Sequence, residues 1–189
     1  MKKIIVFVVL FISFYNYAQN IDALKINAYK VYDCTAKQDF NCILDLSYPK
    51  LFSIAPRETM LKVLESSFDG NTDFKIKMIT VDPNFQYGKI KKIENKTFCV
   101  IKHNNAMTMT FTEKIETPEM YISLFKESMK TDDITFDEKT NSITIKLIST
   151  MVAVADSTTN NEWRFLNDDK SGKIFSLIFN DNIKKELGL

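Results

Sequence analysis

Glycine is scarce in this chain. Only four occur in 189 residues, at Gly70, Gly88, Gly172 and Gly188. A dinucleotide-binding turn needs three glycines within about six residues, and a P-loop ends in Gly-Lys-Ser/Thr. Neither can be assembled, which excludes nucleotide binding through those loops. Histidine occurs once, as His103, so a His-based triad has a single candidate and a zinc site rich in histidine and cysteine has too few donors. No metal and no cofactor is expected. An excess of positive charge is also missing: 25 Lys and Arg stand against 24 Asp and Glu, and the longest basic cluster is Lys89-Ile90-Lys91-Lys92. Without a strong field there is little to hold a polyanion, so no nucleic-acid partner is expected. Beyond the N-terminus no apolar run approaches the about 20 residues of a membrane span. There is no internal repeat and no Pro- or Gly-rich linker.

What the N-terminus does contain is an address. Lys2 and Lys3 precede the apolar run Ile4 to Ile12, and Tyr15-Asn16-Tyr17-Ala18-Gln19 forms a more polar exit. This is the layout of a secretory signal peptide over residues 1–18, with cleavage after Ala18 and an uncleaved anchor as the alternative. The mature chain, 19–189, then reads as one exported domain, periplasmic or extracellular, with no membrane span. Its size suits a single core, and 45% hydrophobic residues with fifteen Phe supply one.

Export permits a disulfide. Cys34 and Cys42 are the natural pair, with Cys99 left in an apolar run. In one continuous helix eight residues would separate them by about 12 Å, too far to bond. A bridge therefore requires the helix to break within 35–39; two buried free thiols are the alternative.

Apolar periodicity predicts helices over 20–34, 38–47 and from Pro56 to Asp69. Alternation then predicts strands near 74–78, 85–94, 97–103 and 106–114, with Asn104-Asn105 as a turn. Thr117-Pro118-Glu119 opens a helix running to about 130. Strands follow near 133–137, 142–155 and 161–166. Residues 173–179 are ambiguous, and 181–187 reads as a terminal helix. The fold class is α+β, with N-terminal helices packed on an antiparallel sheet.

Three segments carry a resemblance: Asp39-Phe40-Asn41 with Leu44-Asp45, then Tyr48-Pro49-Lys50-Leu51-Phe52, and Glu162-Trp163-Arg164-Phe165-Leu166. With the order of elements, they resemble the exported bacterial branch of the nuclear transport factor 2-like superfamily. The Ala-Gln junction and the richness in Lys, Asn, Ile and Phe resemble exported proteins of the Bacteroidetes. The resemblance implies a cone-like curved sheet with a pocket at its open end, and homodimers through a sheet face. It fixes no single activity. The helix near 117–130 departs from the family, which usually runs strand to strand there.

The superfamily's enzymes commonly use a pocket His or Asp as base, which makes Asp45 and His103 the catalytic candidates. Read from the residues alone, Asp45 is a helix-surface carboxylate and His103 a strand-end surface residue. Tyr32, Tyr48, Tyr87, Met107 and Trp163 are the candidates to line an apolar ligand pocket, with plain core as their alternative role. Asp156-Ser157-Thr158 resembles a short bacterial O-glycosylation motif, which points to Ser157. Residues 167–172 resemble a calcium loop only faintly, since Ile178 stands where the bidentate Glu belongs, and are expected to form a polar turn. The expected function is an exported, non-enzymatic domain that binds a small apolar ligand or a protein. A cofactor-free lyase or isomerase acting on a small apolar molecule is the alternative.

Overall fold

The computed structural model describes residues 21–69, 73–168 and 172–189. The signal peptide expected over 1–18 lies outside them. Helix α1 occupies residues 21–37 and buries Leu24, Ala28 and Val31 at helical spacing. It stops at Gln38, whose φ of 57° is left-handed. Asp39 then caps α2 (Phe40–Leu46), its carboxylate accepting from the Cys42 amide at 3.0 Å. This break brings Cys34 and Cys42 together at a Cα separation of 6.0 Å, and they form a disulfide. A 3₁₀ turn (Pro49–Ser53) leads to α3 (Arg57–Asp69).

The remaining chain builds a seven-stranded, open antiparallel sheet: β1 (Phe74–Met78), β2 (Gln86–Tyr87), β3 (Lys91–Ile93), β4 (Lys96–Phe111), β5 (Ile134–Asp137), β6 (Ser142–Ala155) and β7 (Arg164–Asn167). Its spine is the pair β4–β6, in unbroken register from Thr97 opposite Ala155 to Thr110 opposite Ser142. The far edge of β4 is shared by β3, β2 and β1, and the far edge of β6 by β7 and β5. Residues 85–94 therefore form two short strands rather than one. Gly88 separates them, and its amide donates to the Val100 carbonyl at 2.8 Å. A Cβ at that position would lie 2.9 Å from the same oxygen, so only glycine permits this approach. The turn expected at Asn104-Asn105 does not form: β4 runs straight through both residues.

The helix α4 (Pro118–Met129) stands between β4 and β5, while α5 (Lys173–Ile178) and α6 (Asp181–Leu187) close the chain. Alternation along the spine sorts the core into three parts. On one face, Cys99, Ile101, Met151 and Ala153 pack with Leu24, Ala28 and Val31 of α1. Further along that face, Met109, Ile143 and Ile145 pack with Tyr121, Ile122 and Phe125 of α4. On the opposite face, Phe98, Val152 and Val154 pack with Phe175, Phe179 and Ile183 from the C-terminal helices. Two helices thus cover two halves of one face and leave a waist between them. His103, Asn105 and Ser149 lie there, in the intervening register positions.

Candidate functional site

The waist is a cavity of about 180 Å³. A cavity of roughly 150 Å³ accepts a benzene molecule, so the waist has room for about one small ring or head group. His103 forms part of its wall and is 6% exposed. Its ring sits edge-on to Tyr32, with centroids 5.9 Å apart, and tilts against Phe85 at 5.7 Å. This corrects the sequence-based placement of His103 at an exposed strand end, because α1 and the segment before β2 roof it over. Its Nδ1 is buried with no hydrogen-bond partner. Burial opposes protonation and lowers the imidazole pKa to about 4, so the ring is neutral at pH 7.

The other polar groups of the waist are held more firmly. The Tyr32 hydroxyl donates to the Val81 carbonyl at 2.6 Å and accepts from the Val81 amide at 3.2 Å. Asn105 Nδ2 donates to Ser149 Oγ at 3.3 Å, and Ser149 stands directly across the ladder from His103. Asp168 also reaches the wall, its amide donating to the Thr150 carbonyl at 2.9 Å.

Beside the waist runs a larger groove of about 490 Å³, within the range of small-molecule sites. The helices α1, α2 and α3 form one wall, and β7 with the start of α5 the other. Its lining is mostly apolar, including Leu44, Leu46, Met60, Leu64 and Phe165. Val63 (58% exposed) and Ile174 (39% exposed) mark the side that opens to solvent. Val31, Thr35 and Asn167 line both the groove and the waist, so the two spaces adjoin.

Asp45 belongs to neither space. It sits on the outer surface of α2 and pairs with Arg57 at 2.7 Å, the two side chains 69% and 34% exposed respectively. The five apolar candidates are dispersed. Tyr32 lines the waist, and Tyr87 packs at the edge of the α1 cluster, 5.8 Å from Phe85. Met107 lies with the α4 cluster and Trp163 is buried in the α1 cluster. Tyr48 is fully buried and donates to the Asp156 carboxylate at 2.7 Å. Burial first, and then this hydrogen bond, push the phenol pKa well above its ordinary value. At Asp156 burial alone would raise the pKa, but bonds from Thr158 and Tyr48 outweigh it and hold the carboxyl below the usual range.

Ser157 is exposed and begins the 3₁₀ turn Ser157–Thr159, which Asp156 caps. Cys99 is buried and its thiol donates to the Gly88 carbonyl at 3.4 Å. Burial pushes its pKa up to about 11. Among the described residues no cluster of His, Cys, Asp or Glu could hold a metal ion. The apolar groove itself was not foreseen. Its residues were legible as separate helix stripes, but nothing local indicates that α3 stops short of closing over β7.

No protein-family model matches the chain, and a search of the curated proteins finds none similar to it.

Proposed function

We propose that this protein is an exported, non-enzymatic domain that binds a small, largely apolar molecule in the groove between α1–α3 and β7. The observation that carries this reading is an apolar space of about 490 Å³ open on one side and ready to receive a ligand. The Cys34–Cys42 disulfide is compatible with an oxidising compartment. Among the described residues no helix is long and apolar enough to cross a membrane. Helices followed by an antiparallel sheet also agree with the coarse plan of the nuclear transport factor 2-like proteins, and we extend the proposal to membership of that superfamily.

The lyase or isomerase alternative needs a base at an enclosed site. Asp45 is on the surface and tied to Arg57. His103 is at a cavity, but a base works best with a pKa near the working pH, and burial has moved this one to about 4. Neither candidate equips the site for proton abstraction at pH 7.

The test is saturation binding of N-phenyl-1-naphthylamine, a neutral apolar fluorophore, to the chain from Gln19. Saturable one-to-one binding is expected. Thr59→Trp, placed at an exposed groove-lining position, should reduce it at least tenfold without lowering the unfolding midpoint. Absence of binding, or equal binding to the folded variant, overturns the proposal.

A further inference from the structure

The groove wall excludes charge. Although 26% of the chain is Asp, Glu, Lys or Arg, none of the described residues that line the groove is ionised. The wall also has few hydrogens to donate. Thr35 Oγ1 donates to the Val31 carbonyl and Ser47 Oγ to the Ile43 carbonyl, each at 2.9 Å, so both hydroxyl hydrogens are committed to the preceding helical turn. The other polar lining residues, Thr59 and Asn167, are exposed to solvent. We infer that the groove selects the saturated alkyl chain of an amphiphile and leaves the polar head in water, where its charge goes unread. This rests on the groove being the ligand site.

Three observations support this choice of occupant. The first is charge complementarity. An ionised head inside the groove would lose its water and meet no counter-charge, whereas a hydrocarbon chain loses nothing by entering an uncharged wall. The second is the kind of apolar surface. Phe165 is the one aromatic among the described lining residues, in a chain with fifteen Phe, and it is only 4% exposed. The rings gather elsewhere: Phe85 with Tyr32, and Phe98 and Phe175 with Phe179. A flat ring system draws extra stability from edge and offset contacts with other rings, which this wall scarcely provides. Branched aliphatics and the flexible Met60 instead follow a bending chain through many small dispersion contacts. The third is size and opening. The space of about 490 Å³ is roughly three times that which accepts benzene, and its open side at Val63 and Ile174 gives the head a way out to solvent. Contacts between exposed charges are weak, so the sign of the head should change affinity by less than about fivefold.

The experiment is competition against bound N-phenyl-1-naphthylamine at pH 7.5, with every competitor below its micelle-forming concentration. Decanol, decanoate and decyltrimethylammonium vary only the head, and their affinities are expected to agree within about fivefold. Octanol, decanol and dodecanol vary only the chain. Each step of two methylenes should tighten binding by at least about eightfold, toward the roughly fifteenfold that corresponds to about 0.8 kcal/mol per methylene. Phenanthrene, a rigid flat hydrocarbon, should compete at least about fivefold more weakly than decanol. A larger difference between heads, a shallower chain-length step, or phenanthrene closer to decanol than this overturns the inference and leaves the groove reading standing. Calorimetric titration of Thr59→Trp with decanol locates the chain: weakening in parallel with the fluorophore is expected, and unchanged decanol binding overturns the inference. If the fluorophore does not bind the parent chain at all, the groove reading fails and this inference falls with it.

Discussion

Acidification is the most direct perturbation of the waist, because the chain has one histidine and it is buried there. Folding moves the His103 pKa from 6.5 to about 4, through burial. The sign follows from proton uptake: between these values the unfolded chain binds a proton that the folded chain refuses, so stability falls as pH falls. The loss begins near pH 6.5, deepens to about pH 4 and then levels off. At about 1.4 kcal/mol per pKa unit it amounts to roughly 3 kcal/mol. Carboxylates as a class titrate in the lower part of this window, so the measurement needs a reference. Urea unfolding of the parent and of His103→Phe, from pH 7.5 to 4, supplies it. The parent should lose roughly 3 kcal/mol more than the variant over this range, and the single imidazole should titrate by NMR far below pH 6. An imidazole titrating near 6.5 in the folded protein, or parallel stability curves, would refute the burial argument.

Removing the disulfide by Cys34→Ala with Cys42→Ala should cost about 2.5 kcal/mol in the chain-entropy model, which calorimetry would register as a lower unfolding temperature. Tyr48→Phe deletes the donor to a buried carboxylate; the expected cost is roughly 1.5–3 kcal/mol by urea unfolding, and a cost near zero would mean that Thr158 alone satisfies Asp156. The Cys99 thiol, buried and with its pKa pushed to about 11, should resist a thiol reagent at pH 8 in the native protein and react fully in denaturant.

Much of the architecture was legible locally because the signals were local. Thr117-Pro118 marks the start of α4, the alternation in Phe74, Ile76 and Met78 marks β1, and the need for a helix break between Cys34 and Cys42 is met at Gln38 and Asp39. Misreadings arose where distant residues decide. Asn104-Asn105 has the composition of a turn, yet Asn104 donates through Nδ2 to the Asp82 carbonyl at 3.1 Å and Asn105 to Ser149, so both remain in the strand. His103 looked exposed because the residues that cover it, Tyr32 and Phe85, belong to other segments. The ambiguous 173–179 segment is largely helical, because its apolar side packs on Phe98 and Val154, far back in the chain. The binding space was least legible of all. A groove is defined by where packing stops, and sequence patterns record only where it occurs.

The unbroken β4–β6 register also constrains how the chain reaches its native state. Thr110 and Ser142 are the nearest paired residues in sequence, Thr97 and Ala155 the most distant. Closing the inner pair first saves about 0.5 kcal/mol of loop entropy. Met109 and Ile143 are directly opposed beside that inner end, with α4 and β5 within the enclosed loop to join them. Assembly should therefore nucleate around α4 and zip outward, with mutations in this cluster slowing folding and those near Phe98 and Val154 mainly speeding unfolding. In such an order the waist and the wall of the groove are completed late, after the outer ladder has joined α1 and β7 to the sheet. A chain stalled midway would expose the apolar strands of its outer half, the state most open to aggregation.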